Sequence, residues 1–240
     1  MGEFAEALTY GPEGLRIAET ATHPISLVYA CLSIGVPYLR QGAYDKALPQ
    51  LERAVGICRD LRILFHFPAA ALWLSTAYTL TGQVTEALAL LEQALAQDRA
   101  MGRQGAQAAK VAALSAATLL AGRPEHASDL ARHALELAHR NGERGEQAYI
   151  LRLLGDIAAQ CAPLDAEAVA AHYQQALTLA EELGMRPLQA HCHRSLGTLY
   201  AQMRQREQAH TELSTAVALY CALEMTFWLP QTEAALLRMA

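Results

Sequence analysis

The chain has 240 residues, of which 52% are hydrophobic, 18% are charged and only 6% are aromatic, and its formal net charge is −5. This mild charge, without a basic stripe, argues against a nucleic-acid surface. The longest uncharged apolar run, Val111–Gly122, is too short to span a bilayer. The acidic start Met1–Glu6 differs from a secretory signal peptide, which begins basic and then becomes apolar. The abundance of Ala and Leu favours helices over strands.

The cysteines are odd in number and show no C-x-x-C spacing. We therefore expect buried, reduced thiols rather than disulfides or a metal site, and a cytoplasmic location. The five are Cys31, Cys58, Cys161, Cys192 and Cys221.

In chain order, the predicted elements are helices joined by short turns. Residues 3–22 form a helix with a kink or break at Gly11-Pro12, since an interior proline costs about 3 kcal/mol. Leu27–Arg40 and Tyr44–Arg62 have apolar residues at helical spacing and are separated by a turn at Gly42. This pair of helices then recurs along the chain. A turn is predicted at Cys161–Asp165, and Trp228–Met239 forms a final helix that covers the open end.

Small residues recur in phase with this alternation. Three series have steps of 40 residues: Gly2, Gly42, Gly82 and Gly122; Ala7, Ala47, Ala87 and Ala127; and Gly35, Ser75, Ser115 and Gly155. Gly197 follows Gly155 after 42 residues, which places a two-residue insertion in the fourth unit. The series predict stacked helical hairpins in which a small residue lets two helices approach closely. A bulky side chain there would overpack the crossing at a cost of roughly 1–3 kcal/mol.

The repeated motif resembles the tetratricopeptide (TPR) signature. Its first half is matched by Cys31-x2-Ile34-Gly35-x2-Tyr38, and its second half by Ala47-x3-Leu51. The unit departs from the family pattern because it has 40 residues rather than 34, lacks the closing proline, and replaces the first large aromatic with small residues. The resemblance implies an all-α fold, a right-handed α-α superhelix (a TPR-like solenoid) of about five hairpins plus terminal helices.

The expected organisation is a single TPR-like solenoid domain over residues 1–240, as a fragment of a larger protein. It comprises a partial repeat (1–24), five repeats (25–65, 66–104, 105–145, 146–187 and 188–227) and a capping helix (228–240). Phrases such as Ala176–Leu188 also resemble the C-terminal repeats of bacterial signalling ATPases, of adenylate/guanylate cyclase-type or LuxR/MalT-type regulators. In those proteins, other modules precede the repeats.

The tripeptide His191-Cys192-His193 invites a metal-site interpretation. Residues i and i+2 of a helix point roughly 200° apart, so the two histidines cannot chelate one ion without ligands from a neighbouring helix. In the repeat alignment the His193 slot holds Cys31, Ala71, Val111 and Leu151, which predicts an inward, packed position. No phosphate loop, nucleophile elbow or H-E-x-x-H motif occurs. We therefore expect no catalytic residue, no metal ion and no cofactor.

The TPR resemblance implies that the first helix of each hairpin lines a concave groove. The early units supply largely apolar slots, whereas the last two supply polar ones, with Arg152 and Arg194 as donors to an acidic or amide group. The candidate groove residues are Tyr29, Leu32, Val36, Leu39, Leu72, Thr76, Tyr149, Arg152, Asp156, Gln160, His191, Arg194, Thr198 and Gln202. The alternative is that the polar slots are plain solvent-exposed surface and the apolar slots are covered by a neighbouring helix or a second chain.

Two functions from different classes remain open. The first is a non-catalytic interaction or regulatory scaffold that binds a peptide, a protein, or an upstream NTPase or cyclase module of its own longer chain. The second is a small-molecule effector sensor of a bacterial signalling ATPase or transcriptional regulator. The aromatics are few and dispersed (Tyr29, Trp73, Tyr78, Tyr149 and Trp228), which favours the scaffold. Neither nucleic acid nor a membrane is an expected partner, and a homodimer is a further option.

Overall fold

The computed structural model describes residues 4–103 and 105–238, apart from the side chain of Ala5. The predicted turn at Gly2, the repeat boundary at Gln104 and the predicted helix end at Met239 lie outside this part. Twelve α-helices and no strands are found in the described ranges. The chain divides into two compact units, one up to Gly122 (the N-terminal unit) and one from Arg123 onward (the C-terminal unit).

In the N-terminal unit, each helix packs against the next along the chain. The first helices of successive hairpins, α2, α4 and α6, also contact one another, α2 with α4 and α4 with α6. The helices are α1 (Phe4–Ala21), α2 (Pro24–Gln41), α3 (Tyr44–Asp60), α4 (Phe67–Leu80), α5 (Val84–Ala100) and α6 (Gln107–Leu120).

The C-terminal unit follows the same plan. Its first helices α8 and α10 contact each other, and every helix packs against its neighbour in the chain. The helices are α7 (Pro124–Arg140), α8 (Arg144–Ala158), α9 (Ala166–Glu182), α10 (Arg186–Gln202), α11 (Arg206–Ala222) and α12 (Leu229–Leu237).

The small residues predicted at the helix crossings do lie at close contacts. A Cβ atom on Gly35 would lie 2.8 Å from Leu51 Cδ2, and one on Gly197 would lie 2.7 Å from Leu213 Cγ. The equivalent Ser75 and Ser115 are fully buried. The alanines of the second helices, such as Ala47, Ala87 and Ala127, are also fully buried. The sequence prediction of closely packed hairpins is therefore confirmed within each unit.

The glycine series at the turns has a backbone cause. Gly42, Gly82 and Gly122 follow first helices with φ of 81°, 83° and 74°, in the left-handed region that favours glycine. A second series with the same step follows the second helices, with φ between 48° and 67°: Thr22, Arg62, Gly102, Gly142, Gly184 and Glu224. Left-handed residues thus end both helices of a hairpin and set the repeat.

The predicted break in the first helix is wrong. Helix α1 runs without interruption from Phe4 to Ala21 and contains Pro12. Gly11 is buried against α2, where an added Cβ would lie 2.7 Å from Ile34 Cγ1. Packing of α1 along α2 therefore outweighs the hydrogen bond that Pro12 cannot donate.

The predicted insertion and the final helix are found. A loop separates α8 from α9, and Asp165 caps α9 by accepting a hydrogen bond from the Ala168 backbone N–H at 3.0 Å. Helix α12 begins at Leu229, one residue later than predicted. No described helix is both long and apolar enough to cross a membrane.

The expectation of five buried thiols is only partly correct. All five cysteines are free, and Cys31, Cys58 and Cys192 are buried, but Cys161 and Cys221 are exposed. Cys161 lies in the inserted loop and Cys221 on the outer face of α11, where the core does not enclose them.

Candidate functional site

The first helices of the C-terminal unit bring four predicted polar residues to one region. Arg152 and Asp156 lie one turn apart on α8, and His191 and Arg194 lie on α10, which packs against α8. All four side chains are half-buried, so they are held by the protein and still reach its surface.

The pair on α8 is fixed from the adjacent second helix. Arg152 Nη1 donates to Asp156 Oδ2 at 2.6 Å, and the Tyr173 hydroxyl of α9 donates to Asp156 Oδ1 at 3.0 Å. The Arg152 Nε atom is buried and has no hydrogen-bond partner among the described residues. Burial lowers the pKa of Arg152, but Asp156, Cys192 and two tyrosines together raise it, so the guanidinium stays charged.

The pair on α10 is fixed in a similar way by α11. His191 Nδ1 lies 2.8 Å from the Tyr220 hydroxyl, and the His191 ring meets the Trp228 ring edge-on at 4.7 Å between centroids. Burial raises the pKa of Tyr220 to about 12, opposed by Arg194 and Arg152. The Tyr220 hydroxyl is therefore a neutral group between two cations. We refer to Arg152, Asp156, Tyr173, His191, Arg194 and Tyr220 as the polar cluster.

Other predicted residues of the same face surround the polar cluster. Gln160, Thr198 and Gln202 are exposed, and Tyr149 is half-buried. The Thr198 hydroxyl donates to the Arg194 carbonyl at 2.8 Å, inside its own helix. These residues offer accessible polar surface beside the cluster.

The predicted apolar half lies in the N-terminal unit and is mostly semi-buried. Tyr29 is exposed, and its hydroxyl lies 3.1 Å from His66 Nδ1. Leu39 is buried in the core and presents no surface for contact. The remaining predicted residues are half-buried on α2 and α4: Leu32, Val36, Leu72 and Thr76.

The two histidines of His191-Cys192-His193 bind different side chains of α11. His191 contacts Tyr220, whereas His193 Nδ1 lies 2.6 Å from Glu212 Oε2. Cys192, between them, is fully buried. His193 is half-buried rather than fully packed, because it pairs with this carboxylate near the surface. Within residues 4–103 and 105–238, no three His, Cys, Asp or Glu side chains are grouped to hold a metal ion.

Sequence reasoning missed the two tyrosines and the role of Trp228. Tyr173 occupies a slot that holds Leu51, Leu91, Ala131 and Leu213 in other units, and Tyr220 a slot that holds Cys58, Asp98, Ala138 and Ala180. A hydroxyl at an otherwise apolar or small slot was the available signal. Trp228 is not dispersed, since it stacks on Tyr220 at 5.9 Å and contacts His191.

Comparison with known proteins supports the fold. Residues 74–96 match the model of a tetratricopeptide repeat family. No curated protein sequence matches the chain significantly.

Several solved structures resemble the whole chain. NprR in complex with its cognate peptide NprX has a TM-score of 0.76 at 14% identity, over 98% of this chain and 71% of NprR. The apo form of RapI has a TM-score of 0.62 at 10% identity, over 99% of this chain and 97% of RapI.

The third similar structure is a signal transduction ATPase with numerous domains (STAND) from Pyrococcus horikoshii, PH0952, which has a tetratricopeptide repeat sensor. Its TM-score is 0.62 at 19% identity, over 95% of this chain and 36% of PH0952. The chain thus spans about a third of that protein's length. With the helix order and the pairing of the hairpins, these likenesses confirm the predicted fold class, an all-α TPR-like repeat array.

Proposed function

We propose that the chain is a non-catalytic, regulatory binding module whose first-helix face in the C-terminal unit holds a peptide or protein segment. The observation that carries this proposal is the polar cluster itself. Four half-buried polar side chains on α8 and α10 are fixed in place by two buried tyrosines of the second helices. Prearranged groups of this kind lower the ordering cost of binding.

The charges of this face favour an acidic or amide-bearing ligand. Arg194 is half-buried beside the neutral Tyr220 hydroxyl, and no carboxylate is recorded as its ion-pair partner. Arg152 is already paired with Asp156, so its unpaired Nε is the group left to donate. Guanidinium groups bind carboxylates and amide oxygens well.

The similar structures agree with a peptide ligand. NprR was solved with its cognate peptide NprX, and PH0952 has a repeat region described as a sensor. A free peptide is therefore the partner that we propose first, and an NTPase or cyclase module of a longer chain is the alternative protein partner. A small-molecule sensor is less supported, because the rings of Tyr220 and Trp228 are buried and pack on each other rather than opening towards solvent.

The test is selection of peptides from a random 12-residue library displayed on phage, followed by binding measurements with synthetic copies. The expected peptides combine an apolar face with Asp or Glu, and bind the Arg194→Glu/Thr198→Glu variant at least about tenfold more weakly. Arg152→Glu is avoided, because it would place a carboxylate against Asp156 and unfold the site.

The matched control is Gln174→Glu/Thr178→Glu, which adds carboxylates to the exposed face of the second helix α9. It should bind the selected peptides like the unmodified chain. Equal binding by the Arg194→Glu/Thr198→Glu variant, with helicity preserved in all proteins, would place the binding face elsewhere.

A further inference from the structure

A loop in the N-terminal unit exposes large apolar side chains. Leu61, Leu64 and Phe65, in the turn between α3 and α4, are 56–58% exposed. The equivalent turn between α5 and α6 has no such residues, because it reads Met101-Gly102-Arg103 before Gly105-Ala106. The apolar turn is therefore peculiar to this hairpin and is not required by the repeat.

The same loop is surrounded by arginines and held rigid by the next turn. Gln97 Nε2 donates to the Leu64 carbonyl at 2.8 Å, and Arg103 donates to the Phe65 carbonyl with its guanidinium 3.9 Å from the Phe65 ring centroid. Asp60 is the exposed carboxylate nearest in sequence. We call the following set the basic loop patch: Leu61, Leu64, Phe65, Arg59, Arg62, Arg99 and Arg103.

A surface of opposite character lies on α1. Glu6, Tyr10, Glu13 and Ile17 follow the spacing i, i+4, i+7 and i+11, so they form one stripe along the helix. All four are exposed, Tyr10 at 73% and Ile17 at 55%. Arg16 lies beside this acidic stripe and pairs with Glu13 at 2.7 Å, an exposed contact that exchanges readily for another cation.

We propose that the acidic stripe of one copy of this chain binds the basic loop patch of a second copy. Both surfaces combine carboxylates or guanidiniums with large apolar groups, and their charges are opposite, although the whole chain has a net charge of −5. Because the two surfaces are different, the contact is heterologous: copies join head to tail, or close into a ring. This self-association does not depend on the proposed peptide face of the C-terminal unit.

Two other occupants of the patch are less consistent with its structure. Arg103 is tied to Phe65, and Arg59 donates to Gln93 Oε1 at 3.0 Å, so both guanidiniums are fixed rather than free to follow a fluid lipid surface. A foreign acidic helix would satisfy the same chemistry, but the chain itself already displays such a helix in α1.

The test uses charge reversal and sedimentation velocity up to roughly 0.3 mM, since small interfaces reach only micromolar to millimolar affinity. The unmodified chain should gain mass with concentration. The stripe variant Glu6→Arg/Glu13→Arg and the patch variant Arg62→Glu/Arg99→Glu should each associate with themselves at least about tenfold more weakly. An equimolar mixture of the two variants should regain association, because each reversed surface then meets its complement.

The matched control is Arg132→Glu/Arg140→Glu on the exposed side of α7, which changes the net charge as the patch variant does. It should associate like the unmodified chain, and circular dichroism should show the same helicity in every protein. The proposal is overturned if the unmodified chain stays monomeric, if the reversals leave association unchanged, or if the mixture fails to restore it. Binding of the unmodified chain to phosphatidylserine vesicles without self-association would equally overturn it.

Discussion

The ring of Tyr173 lies directly against the backbone of Gly155, and the hydroxyl at its far end donates to Asp156, the next residue of the same helix. A Cβ atom on Gly155 would lie 2.6 Å from Tyr173 Cδ1, closer than a Cβ can approach a rigid ring. The missing side chain at residue 155 thus lets α9 deliver a hydroxyl to the polar cluster. One glycine serves both the packing of the repeat and the geometry of the site.

Gly155→Ala should therefore displace Tyr173 and destabilise the chain by roughly 1–3 kcal/mol, the usual effect of overpacking. Urea denaturation would measure the change in free energy of unfolding. Gly56→Ala is the matched control, because nothing lies within 4 Å of a Cβ there and α3 is helical around it. This control should be more stable by about 0.5–1 kcal/mol, as expected when Ala replaces Gly in a helix.

The left-handed turn residues predict opposite effects at two sites. Gly82→Ala forces a Cβ onto a residue with φ of 83° and should destabilise the chain by about 1–2 kcal/mol. Glu224→Gly removes a Cβ from a residue with φ of 54° and should stabilise it by up to about 1 kcal/mol. Thermal unfolding of both variants would show opposite shifts, and shifts of the same sign would contradict this explanation of the 40-residue glycine series.

A buried ion pair joins α5 to α6 in the N-terminal unit. Lys110 Nζ lies 3.0 Å from Asp98 Oδ2, both side chains are almost fully buried, and Arg103 Nε is 3.8 Å from Asp98 Oδ1. Lys110→Met should destabilise the chain by about 3–5 kcal/mol, because it leaves a buried carboxylate with only the more distant Arg103. The double variant Asp98→Leu/Lys110→Met should recover much of that loss in urea denaturation. A double variant as unstable as the sum of the single ones would show that the charges do not act as a pair.

The thiols should differ in reactivity and in their effect on stability. Burial raises the pKa of Cys58 to about 11 and of Cys192 to about 12, from 9.0. Iodoacetamide at pH 8 should therefore modify the exposed Cys161 and Cys221 and spare these two, as read by mass spectrometry.

The same shifts set a pH window for stability. Since the folded-state pKa values lie above the unfolded value, the neutral thiols stabilise the fold fully below pH 9.0. That contribution falls as the pH rises towards about 11 and 12. Replacing Cys192 with Ala should flatten the decline in the free energy of unfolding over this window. An unchanged slope would contradict the assignment.

Much of the fold could be predicted because one physical requirement recurs at fixed intervals. Gly35, Gly155 and Gly197 each sit where a second helix crosses, so the sequence spacing reported the crossings directly. The left-handed ends were only half visible, since Thr22, Arg62 and Glu224 adopt positive φ without being glycine. The break expected at Pro12 was wrong because a local penalty was weighed without the tertiary contact of Gly11 with Ile34.

The candidate site was less accessible to sequence reasoning. The repeat register placed Arg152, Asp156, His191 and Arg194 on first helices, but the groups that fix them come from second helices. Tyr173 and Tyr220 are 17 and 29 residues from their partners Asp156 and His191, and only the packing of the hairpins brings them together. The Asp98–Lys110 pair had a similar signal, since both charges stand in slots that hold apolar or small residues in neighbouring units.

The most direct measurement of the proposed function is an NMR titration of the chain with a library-selected acidic peptide. The account predicts that the largest amide and side-chain shift changes fall on α8 and α10, around Arg152, His191, Arg194 and Thr198. Changes concentrated on the outer faces of α9 and α11, with these residues unaffected, would contradict it.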